Sequence, residues 1–176
     1  MKVSIVGITG YSGFELVKIL NNHKKVTIAS IHATKDISRR LSDIYPYLSG
    51  ICDLVIEAFD AKAIMAVSDL VFFATPSGIA SQLAAPFVAA DFPVIDLSGD
   101  HRLPADVYEK WYHKTPVSDA VLSQFTYALT EWTDLKGKRF VSNPGCYATA
   151  TELALLPLLK ADVIEEDAII VDAKSG

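Results

Sequence analysis

Cysteine is scarce in this chain of 176 residues: Cys52 and Cys146 stand far apart with no export signal, so no disulfide framework is expected and each thiol is read alone. Long apolar runs are missing too. Gly, Ser, Asp or Pro interrupts every hydrophobic stretch before the roughly 18 residues that span a bilayer, and no membrane partner is expected. The opening MKVSIVGITG carries one lysine and an apolar stretch too short and too glycine-broken for a signal peptide, which makes the cytoplasm the expected compartment. An excess of basic residues is also lacking. With 16 Lys and Arg against 21 Asp and Glu, the net charge is -5, and no run gathers the cations that a phosphate backbone needs, so nucleic acid is not an expected partner. No metal site is expected, and internal repeats and low-complexity segments are absent.

What the chain has is core. Hydrophobic residues make up 51% of it and charged ones 21%, with a mean hydropathy of +0.28. That suits one soluble domain of ordinary size, or one domain and part of a second.

The apolar pattern alternates. VSIV at 3–6 reads as a strand, GITGYSG as a glycine turn, and Phe14, Leu16, Val17 and Leu20 recur at helix spacing. VTIASI at 26–31 is a β-branched strand that closes a first βαβ unit. Further on, LVIEAF predicts a weak strand, AKAIMAV a short helix, DLVFFAT a buried strand, SGIASQLAAPFVAA one helix and FPVIDLSG another strand. Strands alternating with helices imply an α/β fold, a doubly wound and mostly parallel sheet of Rossmann type. Two short helices are predicted within 102–124, and RFVSNPG reads as a strand returning to the sheet. A first domain is expected over 1–145. Residues 146–176 offer a helix, 146–160, interrupted late by Pro157, and a strand, AIIVDA at 168–173. A lone helix and strand cannot bury their own apolar faces, so this stretch is expected to begin a catalytic or substrate domain whose remainder lies outside the chain.

Gly7, Gly10 and Gly13 stand three apart between strand and helix, where glycine permits a tight turn and close backbone approach to a pyrophosphate at the helix start. A dinucleotide is expected there. The spacing is G-x-x-G-x-x-G, a variant found in NADP-linked enzymes. After the second strand, SIHATK holds no carboxylate to bind a ribose 2'-hydroxyl, whereas Thr34 and Lys35 suit a 2'-phosphate, which favours NADP(H). Two more strand ends, ATPSG and DLSGDHR, leave the same edge and offer Ser77, Ser98 and Arg102.

Cys146 follows Pro144-Gly145 at a predicted helix start, whose field favours a thiolate and hence a nucleophile. Cys52, beside an apolar run, reads as a buried and inert residue. A dinucleotide offers hydride and a thiolate can hold an acyl group, so the two sites are chemically complementary.

Together GITGYSGFEL, DLSGDHRL and SNPGCY, in that order, resemble the N-acetyl-γ-glutamyl-phosphate reductases, NADP-dependent enzymes of arginine biosynthesis. The resemblance implies that Cys146 displaces phosphate from N-acetyl-glutamyl 5-phosphate and that the thioester is reduced to N-acetylglutamate 5-semialdehyde. It places Gly7, Thr9, Gly10, Tyr11, Ser12 and Gly13 in the cofactor loop, and Asn143 and Arg102 against substrate or phosphate. It also implies a homo-oligomer and about as many residues again, with the acid-base histidine among them. None of His23, His32, His101 and His113 matches that histidine, and each is expected on the surface or in a loop, His101 at the ligand edge. The chain departs from the family at His101, where an aromatic is usual, at Ser77 in place of histidine, and at Ala148 in place of proline. Since proton transfer contributes about 10² to 10⁴ in rate, the segment alone is expected to bind NADP weakly or moderately and to reduce substrate poorly or not at all.

Other readings stay open. Aspartate-semialdehyde dehydrogenase shares the cofactor fold but shows Asn-Pro-Asn-Cys where this chain has Asn-Pro-Gly-Cys-Tyr. A reductase acting on carrier-bound aminoadipyl phosphate is a second sibling. A non-catalytic NADP sensor is a third reading, and it leaves Cys146 without a role.

Overall fold

In the computed structural model, which describes residues 1–174, seven strands form one sheet: β1 (Lys2–Val6), β2 (Thr27–His32), β3 (Ile56–Glu57), β4 (Leu70–Phe73), β5 (Val94–Asp96), β6 (Thr126–Tyr127) and β7 (Phe140–Ser142). Their spatial order is β3-β2-β1-β4-β5-β7-β6, and every neighbouring pair is parallel. The order reverses between β1 and β4. In a doubly wound sheet that reversal opens a crevice at the carboxyl ends of the strands.

Alternation along the strands divides the core between two faces. Val3 and Ile5 of β1 pack with Ile31, Ile56 and the inner face of α1 (Tyr11–Asn21), namely Phe14, Val17 and Leu20. Val6, Val71, Phe73, Val94 and Phe140 face the other way. They meet Ile64 of α3 (Ala61–Val67), Ala80 of α4 (Ala80–Leu83) and Phe87 of α5 (Ala85–Ala89). Strands buried on both faces read as continuous apolar runs, which is why DLVFFAT and VSIV lack a polar side.

Several expectations need correcting. Residues 77–90 form two short helices rather than one: Gly78, at φ +90°, delays the start, and Pro86 sits in the first turn of α5, where a missing N–H and a bulky ring break an existing helix but suit a new one. The polar stretch after β2 holds α2 (Leu41–Ile44) and a 3-10 turn, Pro46–Leu48, which bury Leu41 and Leu48. The excursion carries α6 (Ala105–Tyr112) and α7 (Asp119–Leu122), followed by β6, which is two residues long and gives no periodic signal.

The chain divides into two compact units, Met1–Asn143 and Pro144–Gly176. The second holds α8 (Cys146–Lys160), which runs on through Pro157. Residues 168–173 form no strand, and Ile170 is 93% exposed; an apolar run becomes a strand only with a partner to pair with. Ser175 and Gly176, the last residues of the stretch expected to begin a second domain, lie outside the described residues. Among the described residues no helix is long and apolar enough to cross a membrane.

Asp60 caps α3, its Oδ1 accepting from the N–H groups of Lys62 at 2.9 Å and Ala63 at 3.1 Å. Asp60→Ala should cost about 0.5–2 kcal/mol in denaturant unfolding while Asp60→Asn costs less. Equal and negligible losses would remove the cap's assigned role.

Candidate functional site

The turn after β1 is shaped by what a side chain would strike. Gly7 sits at φ +94°, and a Cβ there would lie 2.5 Å from the Ala74 carbonyl oxygen; a Cβ on Gly13 would lie 2.5 Å from the Gly7 oxygen and 2.9 Å from Ile8 Cα. Both positions need glycine for the fold itself. Gly10 does not, since its Cβ would meet nothing closer than 3.6 Å. The His32 carbonyl accepts from both Gly7 N–H, at 2.8 Å, and Ile8 N–H, at 3.2 Å, tying the turn to the end of β2.

Gly10 is the N-cap of α1 and supplies no side chain to it. The leading N–H groups of a helix have no acceptor within it, so those of Tyr11, Ser12 and Gly13 face outward with the positive end of the helix dipole. That is an anion site of the kind that takes a pyrophosphate.

Above the turn lies a cavity of about 330 Å³ lined by Gly7, Thr9, Gly10, Thr34 and Lys35, with Phe59, Thr75, Ile79 and Leu83 on its other walls. Its chemistry suits a dinucleotide: backbone donors at the glycine turn, an ammonium and a hydroxyl at Lys35 and Thr34, and apolar side chains against which a ring can lie. The Thr75 hydroxyl, at the cavity wall, is buried without a hydrogen-bond partner within the protein. Phe59, Thr75, Ile79 and Leu83 were not singled out from sequence. Thr75 stands two residues past the end of β4, which is a usable signal; the other three give none. Tyr45, also unanticipated, donates from its hydroxyl to the Thr9 carbonyl at 3.0 Å and packs on Phe14 with ring centres 5.0 Å apart.

Other predicted residues fall elsewhere. Tyr11 is 94% exposed, and neither it nor Ser12 lines the cavity. Ser77 Oγ accepts from Gly99 N–H at 3.3 Å, and Ser98 Oγ donates to the carboxylate of Asp96 at the end of β5, at 3.0 Å, so both hydroxyls are engaged within the protein. Arg102 donates through Nε to the Asn143 carbonyl at 2.8 Å and through Nη2 to the Leu97 carbonyl at 2.7 Å.

Two histidines are not surface residues. His32 is buried in β2 between Ser30 Oγ at 2.8 Å and the Ala58 carbonyl at 3.0 Å. His101 is 1% exposed; its Nδ1 lies 2.7 Å from the Asp96 carboxylate and its ring stacks on Phe125 at 3.9 Å. His32 has a partner at each ring nitrogen, whereas His101 is met at Nδ1 alone and its buried Nε2 has none.

Cys146 is exposed and is the first residue of α8, after Gly145 as N-cap. Cys52 is buried, and burial pushes its thiol pKa up. Burial and a hydrogen bond to Asp100 also raise the Tyr108 hydroxyl. Among the described residues no group of three or more His, Cys, Asp or Glu could hold a metal ion.

Residues 2–138 match the family model of the semialdehyde dehydrogenase NAD-binding domain. The chain belongs to the semialdehyde dehydrogenase family. Residues 146–176 match the dimerisation domain model of the same family. Similar curated proteins are the N-acetyl-gamma-glutamyl-phosphate reductases of Streptococcus thermophilus, 73% identical, and Streptococcus sanguinis, 62% identical, each aligned over all of this chain and 52% of its own length. The chain thus spans about half the length of these relatives. Among solved structures, aspartate semialdehyde dehydrogenase from Candida albicans superposes with a TM-score of 0.62 at 16% identity, covering 93% of this chain and 48% of that one. The enzyme from Vibrio cholerae gives 0.63 at 16%, over 91% and 42%. At such identity the likeness speaks for the fold alone.

Gly10→Ala separates binding from folding, because the protein leaves room for its methyl and a pyrophosphate would not. Dinucleotide affinity should fall at least about tenfold with little change in Tm, whereas Gly7→Ala and Gly13→Ala should destabilise by about 1–3 kcal/mol through overpacking. Unchanged affinity in Gly10→Ala would remove the cavity from consideration. Iodoacetamide followed by mass spectrometry should label Cys146 in the native protein and Cys52 only after unfolding.

Proposed function

We propose that the chain is the cofactor-binding and nucleophile-bearing part of an NADPH-dependent reductase that converts N-acetyl-glutamyl 5-phosphate to N-acetylglutamate 5-semialdehyde. The observation that carries this reading is Cys146, exposed at the first position of α8, in a chain whose first unit holds a cavity of about 330 Å³ over the glycine turn at the sheet's switch point. The names of the streptococcal relatives support the substrate, and the Asn-Pro-Gly-Cys-Tyr sequence supports it over an aspartyl substrate.

In the proposed reaction Cys146 Sγ attacks the acyl carbon and inorganic phosphate leaves, giving a thioester. NADPH, held over the glycine turn, would supply the hydride that reduces this thioester, and the thiohemiacetal on Cys146 would collapse to free aldehyde with return of the thiolate. Residues 1–145 would form the cofactor domain. The glycine turn, with Gly7, Thr9, Gly10, Tyr11, Ser12 and Gly13, would hold the pyrophosphate, while Thr34 and Lys35 would meet the 2'-phosphate and Ser77 would lie at the edge of the cofactor site. The stretch from Cys146 onward would begin the catalytic domain, with the proton-transferring group outside this chain. The dimerisation-domain match supports a homo-oligomer, and a small-molecule biosynthetic reaction suits the cytoplasm.

The test is the reverse reaction in the longest open reading frame that contains the chain: phosphate-dependent reduction of NADP by N-acetylglutamate 5-semialdehyde, with aspartate semialdehyde alongside. Activity with the acetylated aldehyde that drops by at least about 10³ in Cys146→Ser is expected. Activity with aspartate semialdehyde alone, or full activity in the variant, would overturn the reading.

A further inference from the structure

The loop after β2 carries a carboxylate beside the cation at the cavity wall, and the two do not meet. Lys35 lines the cavity over the glycine turn, and its ammonium has no ion pair or hydrogen bond among the described residues. Asp36 follows it directly, with α-carbons about 3.8 Å apart, yet it does not line the cavity. Its Oδ1 accepts instead from Arg39 Nη1 at 2.7 Å.

The backbone prepares that pairing. Asp36 sits at φ +57° and Ser38 at φ +68°, two left-handed residues within three positions, which is uncommon for residues that carry a side chain. Arg39 N–H closes the turn on the Asp36 carbonyl at 3.2 Å, and two further bonds tie the loop to β3: Ser38 N–H donates to the Ile56 carbonyl and Ile56 N–H to the Arg39 carbonyl, each at 2.8 Å. Arg39 is thereby anchored to the sheet, and its guanidinium reaches back three residues. The side chains of Arg39 and Asp36 remain 52% and 35% exposed, and a pair so exposed adds little to stability. Its consequence is where the carboxylate is held.

That placement matters at the ribose. A carboxylate after the second strand accepts from the 2'-hydroxyl in NAD sites, and it repels a 2'-phosphate by the same charge. Asp36, one residue from Lys35, would pair with that ammonium or oppose the phosphate if nothing held it elsewhere.

We propose that Arg39 is a specificity-determining residue for the cofactor: by binding the Asp36 carboxylate it leaves Lys35 to the 2'-phosphate and keeps a competing anion from the ribose. Arg39 does not line the cavity, so it acts through Asp36 as a positioning residue. The proposal rests on the reading of Thr34 and Lys35 as 2'-phosphate contacts.

A double-mutant cycle tests it. NADPH and NADH would be titrated calorimetrically into wild type, Arg39→Met, Asp36→Asn and the double variant, each in the longest open reading frame containing the chain, with Lys35→Met alongside. Arg39→Met should weaken NADPH about five- to tenfold and leave NADH within about threefold of wild type. Asp36→Asn should bind NADPH at least as tightly as wild type. In that background Arg39→Met should change NADPH affinity by no more than about twofold, since no carboxylate is left to hold.

An equal loss of NADPH affinity with and without Asp36 would overturn the proposal and make Arg39 a direct contact or a general charge. Unchanged NADPH affinity in Arg39→Met would also overturn it. So would equal losses for both nucleotides, which would mean that the loop has come away from β3. Wild type that binds NADPH while Lys35→Met binds it just as well would strike the 2'-phosphate reading itself, and the proposal with it, whatever the Arg39 variants do.

Discussion

Gly7 is where three parts of the sheet come within contact distance of each other. Its N–H is bound by the end of β2, its α-carbon leaves no room for a side chain against the carbonyl that follows β4, and its own oxygen closes over Gly13 at the start of α1. A methyl group at either glycine would push the helix from the sheet or the two strand ends apart. The packing of α1 through Phe14, Val17 and Leu20, the direction of its unpaired N–H groups and the depth of the cavity all follow from that approach. One backbone contact thereby serves stability and ligand binding at once.

The same edge of the sheet shows a second economy. Where β5 and β7 end, the carboxylate of Asp96 and the guanidinium of Arg102 are buried or half-buried, yet each finds partners within the loops that leave the strands. Unpaired, either group would be costly to bury; paired, they order the loops. Asp100 does likewise beside β4, its carboxylate accepting from Gly78 N–H at 2.6 Å, Ser81 N–H at 2.8 Å and the Tyr108 hydroxyl at 2.7 Å. Polar residues at strand ends act here as local organisers of backbone, and the cavity residues project from the frame they make.

Much of the fold was legible because buried parallel strands and glycine turns leave strong marks: AKAIMAV coincides with α3, and the glycine triplet lies between β1 and α1. The cavity was half legible. Gly7, Thr9, Gly10, Thr34 and Lys35 follow strand ends and could be read from order alone, whereas Phe59, Ile79 and Leu83 converge only through tertiary packing. His32, expected on the surface or in a loop, lies in a strand, and His101 lies in a turn as expected but buried, because a histidine carries no sign of the partner that will bury it; Asp96 stands five residues from His101, and Ala58 is remote in sequence from His32. The apolar run at 168–173 misled for the opposite reason, since propensity without a neighbouring strand does not make a sheet.

The proposed function depends most on the first unit binding a 2'-phosphorylated dinucleotide. Calorimetric titration of the protein with NADPH and with NADH tests this directly. Saturable binding, tighter for NADPH by about tenfold or more and displaced by 2',5'-ADP, is the expected result for a site with Lys35 and Thr34 at the ribose. No binding of either nucleotide, or tighter binding of NADH, would contradict it.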